Sequence, residues 1–245
     1  MGELYAIASG KGGTGKTSLC AGISTAMAQM GRRVLCIDCD VGLRNLDISL
    51  GMSDSCALSF LDVSEGGYTL EDASRHRDYP NLFFLTAPMN RPVEAIDVGA
   101  FAGMLEQARR RFDYIFLDAP AGVDAGFRLC SGCADSVLVV TGPGPAAIRD
   151  AARVSDLLEL SGKNRVRLIV NRVDPELLST VRLTIDDVMD TTGLPLAGVV
   201  LEDPNVTLAA AFGKPVLQYA RRCEAARAYC RIASRLEGYP AKLKR

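Results

Sequence analysis

Short apolar runs alternate along this chain with longer stretches in which apolar residues recur every three or four positions. The runs fall at residues 4–9, 34–38, 82–87, 114–118, 136–141, 166–171 and 196–201. Several are apolar at every position, as in Leu138-Val139-Val140 and Leu168-Ile169-Val170. Continuous apolarity means burial on both faces, the mark of parallel strands covered by helices. Helical periodicity fills the intervals at 16–30, 93–110, 124–134, 145–161, 184–191, 205–212 and 220–237. Pro145 suits a first helical turn, and Asp203-Pro204-Asn205 reads as a helix start. The pattern predicts an α/β fold: a doubly wound, mostly parallel sheet with helices on both faces. It reads as one domain over 1–245, with no linker, low-complexity segment or internal repeat. In such sheets ligands bind beyond the carboxyl ends of the strands. The ends carrying Ser9-Gly10, Asp38-Cys39-Asp40, Asp118-Ala119-Pro120 and Asn171-Arg172 should therefore converge on one edge.

The first of these ends carries the clearest chemistry. Gly10-Lys11-Gly12-Gly13-Thr14-Gly15-Lys16-Thr17, followed by Ser18, fits the phosphate-binding pattern G-x-x-x-x-G-K-[ST] between a strand and a helix. Glycines let backbone N–H groups approach phosphate oxygens, and the helix N-terminus adds its positive end. Lys16 is placed to reach the β- and γ-phosphates, and the Thr17 hydroxyl to ligate Mg²⁺. The same glycines, Gly10, Gly12 and Gly15, also fit a dinucleotide fingerprint, with Asp38 ending the next strand as a ribose-binding acid. Lys16-Thr17 decides between them, because a dinucleotide loop has no use for a buried ammonium followed by a hydroxyl. Of Asp38 and Asp40, one carboxylate can hold a magnesium-bound water and the other can orient the attacking water. Asp118 can order the magnesium shell, and the Gly122 N–H suits contact with a γ-phosphate.

Composition narrows the setting. With 48% apolar residues and a net charge of −1, the chain can bury a sizeable core, and no whole-chain charge favours nucleic acid. No uncharged run approaches the roughly 18 residues of a membrane-spanning helix, and no export segment opens the chain. A cytosolic protein with reduced thiols is the expectation. The single histidine, His76, lies in a polar stretch and reads as a solvated loop residue.

The motifs resemble those of a known family. The segment from Lys11 to Thr17 resembles the deviant phosphate loop of the MinD/ParA ATPases. Residues 38–47 are similar to switch I of the MinD branch rather than of plasmid-partition ATPases. Asp118-Ala119-Pro120-Ala121-Gly122 resembles the family's switch II, and Ile148-Arg149-Asp150 the segment that meets an activator. The similarity extends to about residue 237. It implies a slow, Mg²⁺-dependent ATP hydrolase that acts as a molecular switch in placing the division septum. It further implies an ATP-bound homodimer in which Lys11 crosses to the other subunit's phosphates. Asp40 would position the water, Asp38 would stand in the magnesium shell, Asn171 would read adenine and the segment Glu202-Asp203-Pro204 would flank the base. Arg149 and Asp150 would meet a protein activator, with a cell-division regulator as a further partner and no specific nucleic acid.

Two features fall outside this pattern. Cys36 and Cys39 have metal-ligand spacing but sit on a strand, where positions three apart face opposite ways. Cys130 and Cys133 share a helix face; packing cysteines are the ordinary reading, and a metal bridging two subunits the alternative. A metallocentre-maturation, flagellar or cargo-positioning, or DNA-partition ATPase of the same family therefore stays open. The final helical segment shows an apolar stripe at Cys223, Ala226, Tyr229, Cys230, Ala233 and Leu236, better suited to packing than to insertion in lipid. Residues 220–245 nonetheless carry eight Lys/Arg against Glu224 and Glu237. Weak or indirect association with an anionic membrane is the expectation, with 242–245 read either as the start of a truncated anchor or as a short basic tail.

Overall fold

The computed structural model describes residues 1–89 and 91–240. Its strands are β1 (Glu3–Ala8), β2 (Val34–Asp38), β3 (Ser74–Arg75), β4 (Leu82–Leu85), β5 (Tyr114–Asp118), β6 (Ser136–Thr141), β7 (Val166–Val173) and β8 (Leu196–Leu201). Among the described residues they form one eight-stranded sheet in the order β3-β4-β2-β5-β1-β6-β7-β8. Every pairing is parallel except that of β3 with β4.

Helices cover both faces. The first part of the chain gives α1 (Lys16–Gln29), α2 (Leu46–Leu50), α3 (Phe60–Ser64) and α4 (Val98–Arg109). The middle gives α5 (Ala125–Cys133), α6 (Pro145–Leu160), α7 (Pro175–Val181) and α8 (Ile185–Thr192). The last part gives α9 (Pro204–Ala211), α10 (Val216–Tyr219) and α11 (Glu224–Leu236). The two-residue period of β1 sorts the core. Leu4, Ala6 and Ala8 meet Phe60, Phe101, Cys130 and Val154 on one face, while Tyr5 and Ile7 meet Leu19, Ile23, Leu217 and Tyr229 on the other. The doubly wound architecture expected from the all-apolar runs is the one observed.

Boundaries differ where local chemistry overrides periodicity. The segment 93–110 is broken, because Asp97 accepts from Gly99 N–H at 2.8 Å and Ala100 N–H at 3.0 Å and so starts α4 at Val98. The last helix starts at Glu224 rather than 220, with the Cys223 side chain accepting from Ala226 N–H. Its stripe packs on α1 and β8 through Ala226, Tyr229, Ile232 and Ala233, and Gly22 of α1 makes room for the Tyr229 ring. Cys230, assigned to that stripe from spacing, is exposed instead. The basic positions 242, 244 and 245 lie outside the described residues. Among those described, no helix is long and apolar enough to cross a membrane.

His76 corrects another expectation. It is buried, not solvated, with Nε2 2.9 Å from the Leu50 carbonyl at the end of α2. Nδ1 accepts from Asp78 N–H at 3.0 Å and Tyr79 N–H at 3.2 Å. This arrangement needs the neutral ring with its proton on Nε2. Burial lowers the His76 pKa, against the opposing influence of the Leu50 carbonyl and Asp78. The unfolded chain therefore takes up the proton first, and stability falls as pH drops below about 6.5 towards the lower folded value. We expect His76→Gln to cost about 1–2 kcal/mol at pH 7.5 and distinctly less at pH 5, read from urea midpoints. Equal losses at both pH values would contradict this reading.

Candidate nucleotide-binding site

The loop between β1 and α1 has the backbone of an anion cradle. Gly13 and Gly15 hold φ of 77° and 84°, in the left-handed region where a side chain is disfavoured. Gly15 also caps α1. Gly10 is small for a different reason. A Cβ there would lie 2.6 Å from the Asp150 carbonyl oxygen of α6, so glycine lets that helix pack against the loop. The two lysines part company: Lys11 is exposed together with Gly12 and Gly13, whereas Lys16 is buried.

Lys16 faces a dense patch of carboxylates. Asp38 and Asp118 are register partners on the adjacent strands β2 and β5, and both are buried. The oxygens of Asp38 accept from Asp40 N–H at 2.9 Å and Leu46 N–H at 3.1 Å. Burial raises the Asp38 pKa to about 6 despite these bonds, and raises that of Asp118 to about 7 with the charge of Asp38 adding to the effect. The neighbouring Thr17 hydroxyl and Lys16 act in the opposite sense. For Lys16, burial lowers the pKa while Asp118 and Asp40 resist the shift. Asp118 Oδ1 is buried with no hydrogen-bond partner, as is the Thr14 hydroxyl of the loop. An orphaned carboxylate oxygen, the adjacent Thr17 hydroxyl and two buried acids against one ammonium fit a hydrated divalent cation. Thr17, Asp38 and Asp118 are the residues that could hold it.

The surrounding loops frame this patch. Asp40 is half-buried at the start of the loop leading to α2, where its Oδ1 accepts from Gly42 N–H at 3.3 Å. Gly122 has φ of 97°, and its N–H donates to the Ser9 carbonyl at 3.0 Å. Contact of that N–H with a γ-phosphate would exchange one acceptor for another. Arg149 is exposed on α6, beside the Asp150 that packs on Gly10.

On the far side of the loop lies a cleft of about 140 Å³, lined by Gly15, Ser18, Asn171, Glu202, Asp203 and Val206 among others. Asn171 is buried, and its Nδ2 donates to the Thr14 carbonyl at 2.8 Å. That bond fixes the amide so that Oδ1 is the end left to accept from a base amino group. Of the segment 202–204 expected to flank the base, Glu202 and Asp203 line this cleft together with Val206, whereas Pro204 is exposed at the start of α9 and does not. Arg172, noted in the sequence only as a strand end, lines the cleft and donates to the Gly13 carbonyl at 3.1 Å. Nothing local in the sequence signals that contact, which joins residues 159 apart.

The cysteines pack. Cys36 and Cys39 point to opposite faces of the sheet, Cys36 beside Cys20 and Cys39 beside Cys130. Cys133 is half-buried, and among the described residues no group of three His, Cys, Asp or Glu is arranged to hold a metal.

Strand, glycine loop, helix and buried acids at the carboxyl edge define a phosphate-loop nucleotide-binding protein. Residues 5–216 match the CobQ/CobB/MinD/ParA nucleotide binding domain, and the chain belongs to this family. It is 36% identical over 240 residues to the septum site-determining protein MinD of Synechocystis, covering 97% of this chain and 90% of that protein. Its structure is similar to that of MinD in the MinC:MinD cell division protein complex of Aquifex aeolicus, with a TM-score of 0.91 and 35% identity. That match covers 99% of this chain and 98% of the other. The septum site-determining MinD of Pyrococcus horikoshii, complexed with Mg-ADP, matches with a TM-score of 0.84 and 28% identity, over 97% and 96% of the two chains.

The buried acids give a test of the metal-free protein. A carboxylate whose folded pKa is raised stabilises the fold below its ordinary pKa near 4 and loses that contribution as pH rises through the folded value. For Asp118 the loss runs up through about 7. Without nucleotide or Mg²⁺, Asp118→Asn should gain about 2–3 kcal/mol on the parent protein between pH 5 and pH 8. Urea midpoints in a chelator measure both. A variant equally stable relative to the parent at the two pH values would contradict the assignment.

Proposed function

We propose that this chain is a MinD-like switch ATPase that takes part in placing the cell-division septum. The observation that carries the reading is the pairing of a buried Lys16 with an exposed Lys11 on one phosphate loop beside Asp38 and Asp118. Its support from relatives is near-full-length similarity to proteins named for septum-site determination. Mg²⁺, when bound, would neutralise charge on the β- and γ-phosphates. The chain's own groups do the rest. Loop N–H groups and Lys16 hold the phosphates, Thr17, Asp38 and Asp118 hold the cation shell, and the Asn171 amide and the cleft beside it take the base. Asp40, at the mouth of the site, orients the attacking water. No histidine lies at the site to serve as a base, so basal hydrolysis is slow until a partner completes it.

The exposed position of Lys11 supports a further part of this proposal, an ATP-dependent homodimer. Once Lys16 is engaged, a second loop ammonium has no phosphate to serve in its own subunit. Arg149 and Asp150, on the helix packed against Gly10, would report activator docking to the loop. Among the partners is a cell-division regulator, in keeping with the Aquifex MinD seen with MinC. Since α11 buries its stripe on α1 and β8, that stripe is not a face for insertion in lipid.

Two measurements test these roles. Lys16→Ala should lose ATP binding. Asp40→Ala should bind ATP within about threefold of the parent and lose about a hundredfold or more in turnover, the scale of one acid–base group. Equal loss of binding in both variants would remove the role given to Asp40. In sedimentation with a slowly hydrolysed ATP analogue the parent should dimerise, and with ADP it should be monomeric. Lys11→Ala should retain nucleotide and remain monomeric in both. A dimer independent of nucleotide and of Lys11 would sink the crossing role.

A further inference from the structure

We propose that Arg172 is a positioning residue for the phosphate loop. It holds the Gly13–Thr14 peptide in its anion-binding orientation and ties that orientation to the wall of the base cleft. The pairing of β7 with β8 shifts register between Val170 and Val173, so Asn171 and Arg172 leave the regular ladder. Arg172 there has φ of 57°, a conformation that disfavours any residue with a side chain. Glycine would make the same turn without strain, so the reason for arginine lies in its side chain. Its NH1 donates to the Gly13 carbonyl at 3.1 Å. Nε donates to Glu202 Oε2 at 2.7 Å, and NH2 to Oε1 at 3.3 Å. Asn171, one residue earlier, holds the next carbonyl of the loop, that of Thr14.

Two successive side chains thus hold two successive carbonyls. A peptide is planar, with its carbonyl and N–H on opposite sides, so a carbonyl held outward turns the following N–H inward. The N–H groups so aimed are those of Thr14 and Gly15, between glycines of positive φ, the backbone pattern of an anion nest. If the Gly13 peptide were free to turn over, it would present an oxygen to the phosphates. Glu202 gives the second half of the inference. A guanidinium fork can serve the loop carbonyl and a carboxylate of the cleft wall together, which a single ammonium cannot do with the same geometry. The ion pair is half-exposed and adds little stability; its effect is on orientation.

The role rests on the nucleotide site described above, and parent protein that bound no ATP would remove both. The test uses the full chain, a fluorescent ATP analogue, and tripolyphosphate and adenosine as competitors. Arg172→Gly relieves the backbone strain and removes the fork. It should fold with equal or greater stability, bind ATP and tripolyphosphate about tenfold more weakly, and bind adenosine within about twofold of the parent. Arg172→Lys should lose nearly as much, and Glu202→Gln about threefold. Parent-like tripolyphosphate affinity in Arg172→Gly would overturn the proposal, and so would full rescue by lysine, which would mean that charge alone suffices. An equal loss of adenosine binding would assign Arg172 to the base cleft instead of the loop. No effect of Glu202→Gln would remove the tie to the cleft wall.

Discussion

Two carboxylates in register on adjacent strands, both out of water, are the constraint around which this edge of the sheet is built. Asp38 and Asp118 end β2 and β5 side by side, and Lys16 is the buried cation that faces them. Removing charge from water is expensive unless each group is paired and hydrogen-bonded. The acids outnumber the ammonium, and burial pushes their pKa values to about 6 and 7. Such a cluster is poorly satisfied by protein alone. It is well suited to a divalent cation carrying phosphate oxygens, whose positive charge stabilises both ionised acids. The imbalance is therefore a property of the site's chemistry, held in place by a parallel sheet that the buried apolar strands make rigid.

The flanking loops are fastened to that cluster directly. Both oxygens of Asp38 bind backbone N–H groups of the loop that follows, at Asp40 and Leu46. Leu46 opens α2, and the end of α2 is held by His76 through the Leu50 carbonyl. On the other side, Gly122 reaches back to the Ser9 carbonyl at the end of β1. A change in charge or ligand at Asp38 thus acts on the entry to α2, and a change at the phosphate loop acts on Gly122. These are short hydrogen-bonded links with one acceptor each. They can exchange partners without disturbing the sheet.

How far the sequence reveals this depends on the range of the interaction. The phosphate loop, the strand-end acids and the two-faced sheet were legible because each is encoded by contiguous residues or by strict apolar runs. Cys36 and Cys39 could be placed on opposite faces from strand geometry alone, as observed. The burial of His76 was not legible, because its polar neighbours Arg75 and Arg77 mask a contact with Leu50, which lies 26 residues away. Cys230 was misplaced because a helical stripe gives the face but not where the neighbouring elements end. Pro204 was displaced from the cleft wall by the way Asp203 caps α9 while also accepting from Ala225 N–H at 3.0 Å. Arg172 was passed over since its partners, Gly13 and Glu202, come together only through the sheet.

The two lysines of the loop show how position within one motif separates roles that residue type cannot. Lys16, on the first turn of α1, lies among the acids, where desolvation strengthens its attraction to any phosphate placed there. Lys11, before the left-handed glycines, stays in water, where an ammonium is strongly hydrated and interacts weakly with distant charge. Moving Lys11 into its own site would require the loop to abandon the Gly13 and Thr14 carbonyl anchors that aim its N–H groups. An ammonium held outside by the same bonds that shape the cradle gains a desolvated anion only when a second surface closes over it. The bonds that shape the loop thus leave Lys11 exposed, which is the basis of the role proposed for it across a dimer.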